Sequence, residues 1–427
     1  MKEKNVYKSR IVDSILRDQL EAAGVVLIQG PKWCGKTTTA LQQSKSVLYL
    51  NDPERARDLR LLAQTSISSI LEGETPRLLD EWQLIPQLWD AARFTVDRRS
   101  AEGQFIFTGS AIPADKSKIS HTGTGRFAWV TMRPMSLWES GDSIGVISLN
   151  DLFLGKSVAH PTPNNPLLRM AYLACRGGWP KAVTSPEKVA LKQSYNYVDA
   201  VTEQEISQVD EIGRDKVLAQ KLLRSYARSQ GTQTSVADIV KDLSSTEHNT
   251  TTEVTIQSYI KALEKIFVIE NMPAWNPNLR SKTAIRTRDT RYFVDPSIAT
   301  AALRIGPADL LADLNTFGFI FETLAVRDLR VYADALDGDV FHYRDKDGLE
   351  CDAVLHLRNG HYGLIEIKLG GDDLIDSGVA SLLALNKKID TTKMLKPSFM
   401  MVLTAVGSYA YQREDGVWII PIDALKP

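Results

Sequence analysis

Residues 30–37, Gly30-Pro31-Lys32-Trp33-Cys34-Gly35-Lys36-Thr37, keep the spacing GxxxxGK[ST] that phosphate chemistry requires. Glycines let backbone N–H groups curl around phosphate oxygens, and the following helix points its positive end at them. In such a cradle the residues from Gly30 through Thr38 line the phosphates. Lys36 reaches the β- and γ-phosphates, and the Thr37 hydroxyl ligates Mg2+. The context agrees, because an apolar run (VVLIQ) feeds the loop and a helical run (TTTALQQ) leaves it. ATP and Mg2+ are therefore the expected cofactors. A second element should hold the metal's outer partner. Leu78-Leu79-Asp80-Glu81 ends an apolar strand in two carboxylates. That puts Asp80 beside the Mg2+ on Thr37 and lets Glu81 polarise an attacking water.

Two further features belong to the same chemistry. The run Phe105-Ile106-Phe107-Thr108-Gly109-Ser110 ends in small polar residues, so Thr108 or Ser110 could sense the γ-phosphate; a plain strand-ending turn reads the same way. Arg126 follows a glycine-loosened stretch, His121-Thr-Gly-Thr-Gly. Its guanidinium could stabilise transition-state charge, from this chain or a neighbouring copy, or form an ordinary salt bridge.

A separate set of carboxylates lies far along the chain: Glu322 on a helix, Asp352 on a strand, then Glu366-Ile367-Lys368 on another. Residues two apart on a strand share a face, so Glu366 and Lys368 point together while Ile365 and Ile367 point inward. A hairpin across Gly360 would let Glu322, Asp352 and Glu366 converge on a divalent metal, with Lys368 near enough to orient water. This ordered set resembles the PD-(D/E)xK nuclease arrangement. A solvated charged strand, or a nuclease-like fold that only docks or binds, would carry the same residues.

The elements that must position these groups follow from patterning. Short apolar runs alternate with helical patterns up to about residue 150, the signature of a parallel α/β sheet. Expected strands are Val25–Gln29, Val47–Leu50, Arg77–Leu79, Gln104–Thr108 and Phe127–Thr131. Helices are expected over Lys36–Ser44, Glu54–Glu72 and Pro86–Arg99, the last with an apolar face of Trp89, Ala92, Phe94 and Val96. Residues 155–166 carry three prolines and read as a linker. A helical stretch follows, Leu167–Arg228. Helices over Ser235–Leu243 and Thr255–Ile266, with strands over Phe267–Ala274 and Arg291–Val294, suggest a winged helix. From Phe317 the texture is a helix, strands near Val340–Tyr343, Cys351–Leu357, Tyr362–Lys368 and Ser398–Leu403, and a helix over Asp372–Lys388. The fold class is α/β, in three domains: a P-loop sheet over 1–155, a helical and winged-helix middle over 167–305, and an α/β nuclease-like region over 316–427.

Composition sets outer bounds. The 427 residues carry 51 Lys+Arg and 52 Asp+Glu, which argues against a chain-wide basic coat. From Phe317 onward there are 12 Lys+Arg against 17 Asp+Glu, so this part would not grip DNA by charge alone. Arg280, Lys282, Arg286, Arg288 and Arg291 supply a local basic cluster beside the expected wing, making DNA a candidate partner. No apolar run reaches the ~18 residues of a membrane span, and the amino terminus lacks a secretory pattern. Three scattered cysteines suggest neither disulfides nor a zinc site. A cytoplasmic protein, with a homo-oligomer among its candidate forms, is the expectation.

The order of these parts resembles the prokaryotic P-loop ATPases of AAA+ type that carry a carboxy-terminal domain of unknown function with a nuclease-like fold, relatives of the archaeal ATPase family. The carriers are GPKWCGKTTT, RLLDEWQ, FIFTGSA, Gly125-Arg126, RGGWPKAV and the Glu322, Asp352, Glu366-x-Lys368 set. Members usually have Arg at the position of Lys32 and an aliphatic residue at Cys34. The resemblance implies metal and water-activating roles for Asp80 and Glu81 and a finger role for Arg126.

Overall fold

The computed structural model describes residues 7–109, 124–210, 212–244, 251–276 and 288–427. Ser110 and most of the basic cluster (Arg280, Lys282, Arg286) lie outside the described residues. By compactness the chain divides into two units. One is built from Met1–Pro134, Glu203–Arg214 and Tyr259–Val268, the other from Met135–Thr202, Asp215–Ser258 and Ile269–Pro427. Segments of the middle of the sequence divide between the two.

The first unit holds β1 (Val25–Gln29), β2 (Ser46–Tyr49), β3 (Arg77–Asp80), β4 (Phe105–Gly109) and β5 (Phe127–Thr131). All pair in parallel, in the order β2-β3-β4-β1-β5. Successive side chains of β1 serve opposite faces: Val25 and Leu27 join Trp82, Trp89, Phe105 and Phe107, while Val26 and Ile28 join Leu16, Ala40 and Ile106. A sheet covered on both faces needs near-continuous apolar strands, which is how β1 and β4 read. The expected strands lie within one residue of those observed. The expected helix Glu54–Glu72 is divided into Ala56–Thr65 and Ile67–Ile70 by Ser66, whose φ and ψ are −156° and 70°. In the helix Leu88–Arg99, Trp89, Ala92 and Val96 are buried but Phe94 is 61% exposed. Phe94 lies off the 3–4 spacing that links the other three, so it falls outside the apolar face.

The second unit begins with β6 (Ile147–Ser148) and β7 (His160–Pro161) and several helices. Its large sheet adds β8 (Gly338–Arg344), β9 (Glu350–Leu357), β10 (Tyr362–Lys368), β11 (Phe399–Thr404), β12 (Tyr409–Gln412) and β13 (Val417–Pro421), in the order β7-β12-β13-β11-β10-β9-β8. A two-residue β14 (Leu425–Lys426) pairs with β6. β10 is parallel to β11 and antiparallel to β9. The helix Asp372–Lys388 links the parallel pair, as a parallel connection requires. The stretch expected as a linker contributes β7, paired with β12, so it is not free.

The expected helices of the winged region correspond to Val236–Ser244 and Glu253–Lys265. Its expected strands reduce to isolated antiparallel bridges, Ile269 with Phe293 and Met272 with Thr290. Ala274 bridges His342 of β8 in parallel. Arg291 is also turned inward, with Nε donating to the Thr234 carbonyl and its guanidinium over the Tyr226 ring. No helix among the described residues is long and apolar enough to cross a membrane.

Candidate functional site

Parallel strands bring the phosphate loop, Asp80 and Thr108 to one edge of the sheet because β1, β3 and β4 all end there. The loop needs its first glycine: Gly30 has φ +151°, and a Cβ there would lie 2.0 Å from the Met132 carbonyl oxygen. Gly35, with φ 103°, precedes the helix Lys36–Gln43. Cys34 is buried in the core and its carbonyl accepts from Arg10 Nη1 at 3.0 Å, which fastens the loop from below. Trp33, with φ 68°, stands 46% exposed. Thr38 is exposed on the first helical turn. Lys36 Nζ rests on the carbonyls of Gly30 and Pro31, at 2.8 Å each, so its charge is held at the mouth of the cradle.

Asp80 is the meeting point. Its Oδ1 accepts from Thr37 Oγ1 at 2.7 Å and from Thr108 Oγ1 at 2.5 Å. Of the two sensor candidates, Thr108 reaches the site by its register opposite Asp80. A hydroxyl and a carboxylate this close form a hard oxygen pair, so Thr37 and Asp80 fit Mg2+. Glu81 follows in the left-handed region at φ 60°, and Gln83 Nε2 donates to its Oε2 at 2.5 Å. A non-glycine residue in that conformation stores strain of a kind concentrated at functional sites. Gln83 was legible in RLLDEWQ but given no role from sequence.

Arg126 is not brought to this site. Its carbonyl accepts from Val25 N, at the start of β1, whereas the phosphate loop follows the end of β1. Its Nε pairs with Asp97 at 2.5 Å and holds that carboxyl below its usual range. Within its own chain the finger role is therefore corrected to a salt bridge, because parallel pairing of β1 and β5 puts Arg126 at the opposite edge.

Lys32 meets a residue that sequence reasoning missed. Its Nζ donates to Glu205 Oε1 at 2.5 Å. Glu205 lies 173 residues away, with no motif to mark it.

In the second unit the carboxy-terminal set does gather. Lys368 Nζ lies 3.0 Å from Asp352 Oδ2 and 2.6 Å from Glu366 Oε2. Ile367 N donates to the same Asp352 oxygen at 2.7 Å. Tyr292 donates its hydroxyl to Glu322 Oε1, and Gly231, at φ +67°, leaves room for the Glu322 carboxylate. Burial first, then the charge of Asp352, pushes Glu322 up to about 8, against the opposing effects of Tyr292 and Lys368. Burial and Asp352 likewise drive Glu366 well above the carboxylate range. Burial works against the Lys368 charge, yet Asp352 and Glu366 outweigh it and hold the ammonium above its ordinary value.

This arrangement shows no divalent-metal site among the described residues. Lys368 takes the position between Asp352 and Glu366, and among the described residues no three His, Cys, Asp or Glu side chains gather to hold an ion. The metal role expected of Glu322, Asp352 and Glu366 is therefore unsupported, and Lys368 sits beside both Asp352 and Glu366.

Residues 22–140, which hold this sheet, the phosphate loop and Asp80, match the family model described as an AAA domain. Residues 168–309 and 317–425 match two further models, each described as a domain of unknown function, DUF8612 and DUF4143. Over 417 residues the chain is 24% identical to uncharacterized proteins of Mycobacterium bovis and Mycobacterium tuberculosis, covering 96% of this chain and 82% of theirs. Among solved structures, a Walker-type ATPase of Pyrococcus abyssi is similar at a TM-score of 0.42 and 14% identity, over 71% of this chain and 97% of that one.

Proposed function

We propose that the chain is a Mg2+-dependent ATPase whose nucleotide state controls its carboxy-terminal half, with DNA as the partner of that half. The observation that carries the ATPase reading is the convergence of Thr37 and Thr108 on one oxygen of Asp80. Lys36 neutralises the phosphates, Thr37 and Asp80 hold Mg2+, Thr108 senses the γ-phosphate, and Glu81 polarises the attacking water under the orientation of Gln83. Bound Mg2+ supplies charge neutralisation of the phosphates. Glu81→Gln keeps the shape of the site and removes its base. ATP binding should persist while hydrolysis falls by about 10²-fold or more. Hydrolysis at the wild-type rate would remove Glu81 from the mechanism.

A second reading is favoured by Lys368: the carboxy-terminal half is a non-catalytic module that binds DNA or a protein under ATP control. An ammonium seated between the two carboxylates disfavours the cation that cleavage chemistry would need. Purified protein incubated with supercoiled plasmid and Mg2+ or Mn2+, beside Asp352→Ala, tests the module reading against cleavage. The module reading expects equal, background nicking by both proteins. Cleavage by wild type alone would restore the nuclease reading.

A further inference from the structure

Lys32 projects from the phosphate loop two residues after Gly30, and its ammonium is held by Glu205. Both residues belong to the unit that contains the parallel sheet. Glu205 closes a π-helical turn, Val201–Glu205, between the helices Glu187–Ala200 and Ile206–Gln208. Such turns are rare and recur at functional positions, because the inserted residue re-aims the side chains that follow. Here the turn ends on the carboxylate that meets the loop. The Glu205 side chain is only 18% exposed and that of Lys32 40%, so this pair is screened less than one on open surface.

A carboxylate beside a phosphate cradle stands against the chemistry of the cradle. Polyphosphate brings several negative charges to a loop where Glu205 already contributes one, and the two repel. Phosphate also offers the Lys32 ammonium a more highly charged acceptor than a single carboxylate. The segment behind Glu205 is braced within itself. Arg214 Nη1 donates to the Ile206 carbonyl and pairs with Asp210, and Asp210 also faces Lys265 at 3.5 Å. Displacing Glu205 therefore moves a stapled segment instead of being absorbed by a loose one. Residues 203–214 are joined directly, at both ends, to segments of the other unit.

Resting on the reading that the loop binds ATP, we infer that Lys32 and Glu205 form a nucleotide-sensing ion pair. Nucleotide phosphates draw Lys32 away from Glu205, and the freed carboxylate releases residues 203–214. Glu205 thereby restrains nucleotide affinity, and its release reports occupancy along the chain.

The test uses the full chain, with ATPγS and Mg2+ titrated calorimetrically into wild type, Glu205→Gln, Lys32→Gln and the double variant. Glu205→Gln is near-isosteric and should tighten binding about three- to tenfold, since each tenfold corresponds to only about 1.4 kcal/mol. Lys32→Gln should weaken it, and in that background the tightening by Glu205→Gln should differ from its value in wild type. In wild type, ATPγS should raise amide hydrogen exchange across 203–214. Equal affinity of wild type and Glu205→Gln, or an unchanged increment in the Lys32→Gln background, would overturn the ion pair's role. Unchanged exchange at 203–214 in nucleotide-bound wild type would overturn the release. A wild type that binds no nucleotide would instead remove the ATP reading itself, and this inference with it.

Discussion

Asp80 receives two hydroxyls on one oxygen, and one of them, Thr37, comes from the phosphate loop. The set is prearranged, since the hydroxyl and carboxylate that would hold Mg2+ are already in register. The carboxy-terminal cluster shows the opposite condition, with acid groups kept from ionising. Glu322 has its pKa raised from 4.5 to about 8, by burial first and Asp352 second. The folded state therefore binds this proton more tightly than the unfolded one. Its stabilisation is complete below about pH 4.5 and is lost as pH rises through about 8. Melting temperatures across that window should fall with rising pH, and Glu322→Gln should flatten part of the fall; parallel curves would assign the slope elsewhere. Legibility at this scale followed spacing. Lys36, Thr37 and Asp80 were readable because loop and strand end are local patterns. Glu205 was not, because a contact across 173 residues leaves no periodic trace. Arg126 precedes the expected strand Phe127–Thr131, but its distance from the phosphate loop follows only once that strand pairs in parallel with β1.

At the scale of elements, the second unit depends on a buried charge hub. Arg327, 2% exposed on the helix Leu314–Ala335, pairs with Asp295 at 2.9 Å and Asp328 at 2.7 Å. Asp295 caps the helix Pro296–Leu303 and accepts from Gly178 N, while Asp328 accepts from Leu137 N. One guanidinium thus joins two helices and two distant backbone segments. Arg327→Leu would leave both carboxylates buried and uncompensated and should cost about 3–5 kcal/mol, read as a lowered urea midpoint. A midpoint within error of wild type would show that the hub adds no net stability. β1 and β4 were legible because parallel strands covered on both faces read as unbroken apolar runs. β12 and β13 escaped notice for different reasons. β12 is four residues long and mostly exposed, and β13, though buried throughout, is only five residues long and follows a charged turn. β7 hid among prolines, since an edge position lets proline replace a ladder donor.

At the scale of the whole molecule, sequence texture suggested three successive bodies, yet compactness yields two. Texture changes mark where one kind of element gives way to another, and they do not reveal which body a helix packs against. The first unit draws in residues 203–214 and 259–268, including buried Ile206, Val209, Ile260, Leu263 and Ile266. A fragment of residues 1–155 lacks all of these and should be poorly soluble, or melt well below the intact chain in circular dichroism. A fragment that unfolds cooperatively at the intact chain's temperature and binds ATP would show those segments to be dispensable. The backbone passes between the units after Pro134, Thr202, Arg214, Ser258 and Val268. Interleaving of that kind has a hereditary consequence: no single recombination event can lift either unit out as a cassette. The two units must be inherited, exchanged and lost as one gene.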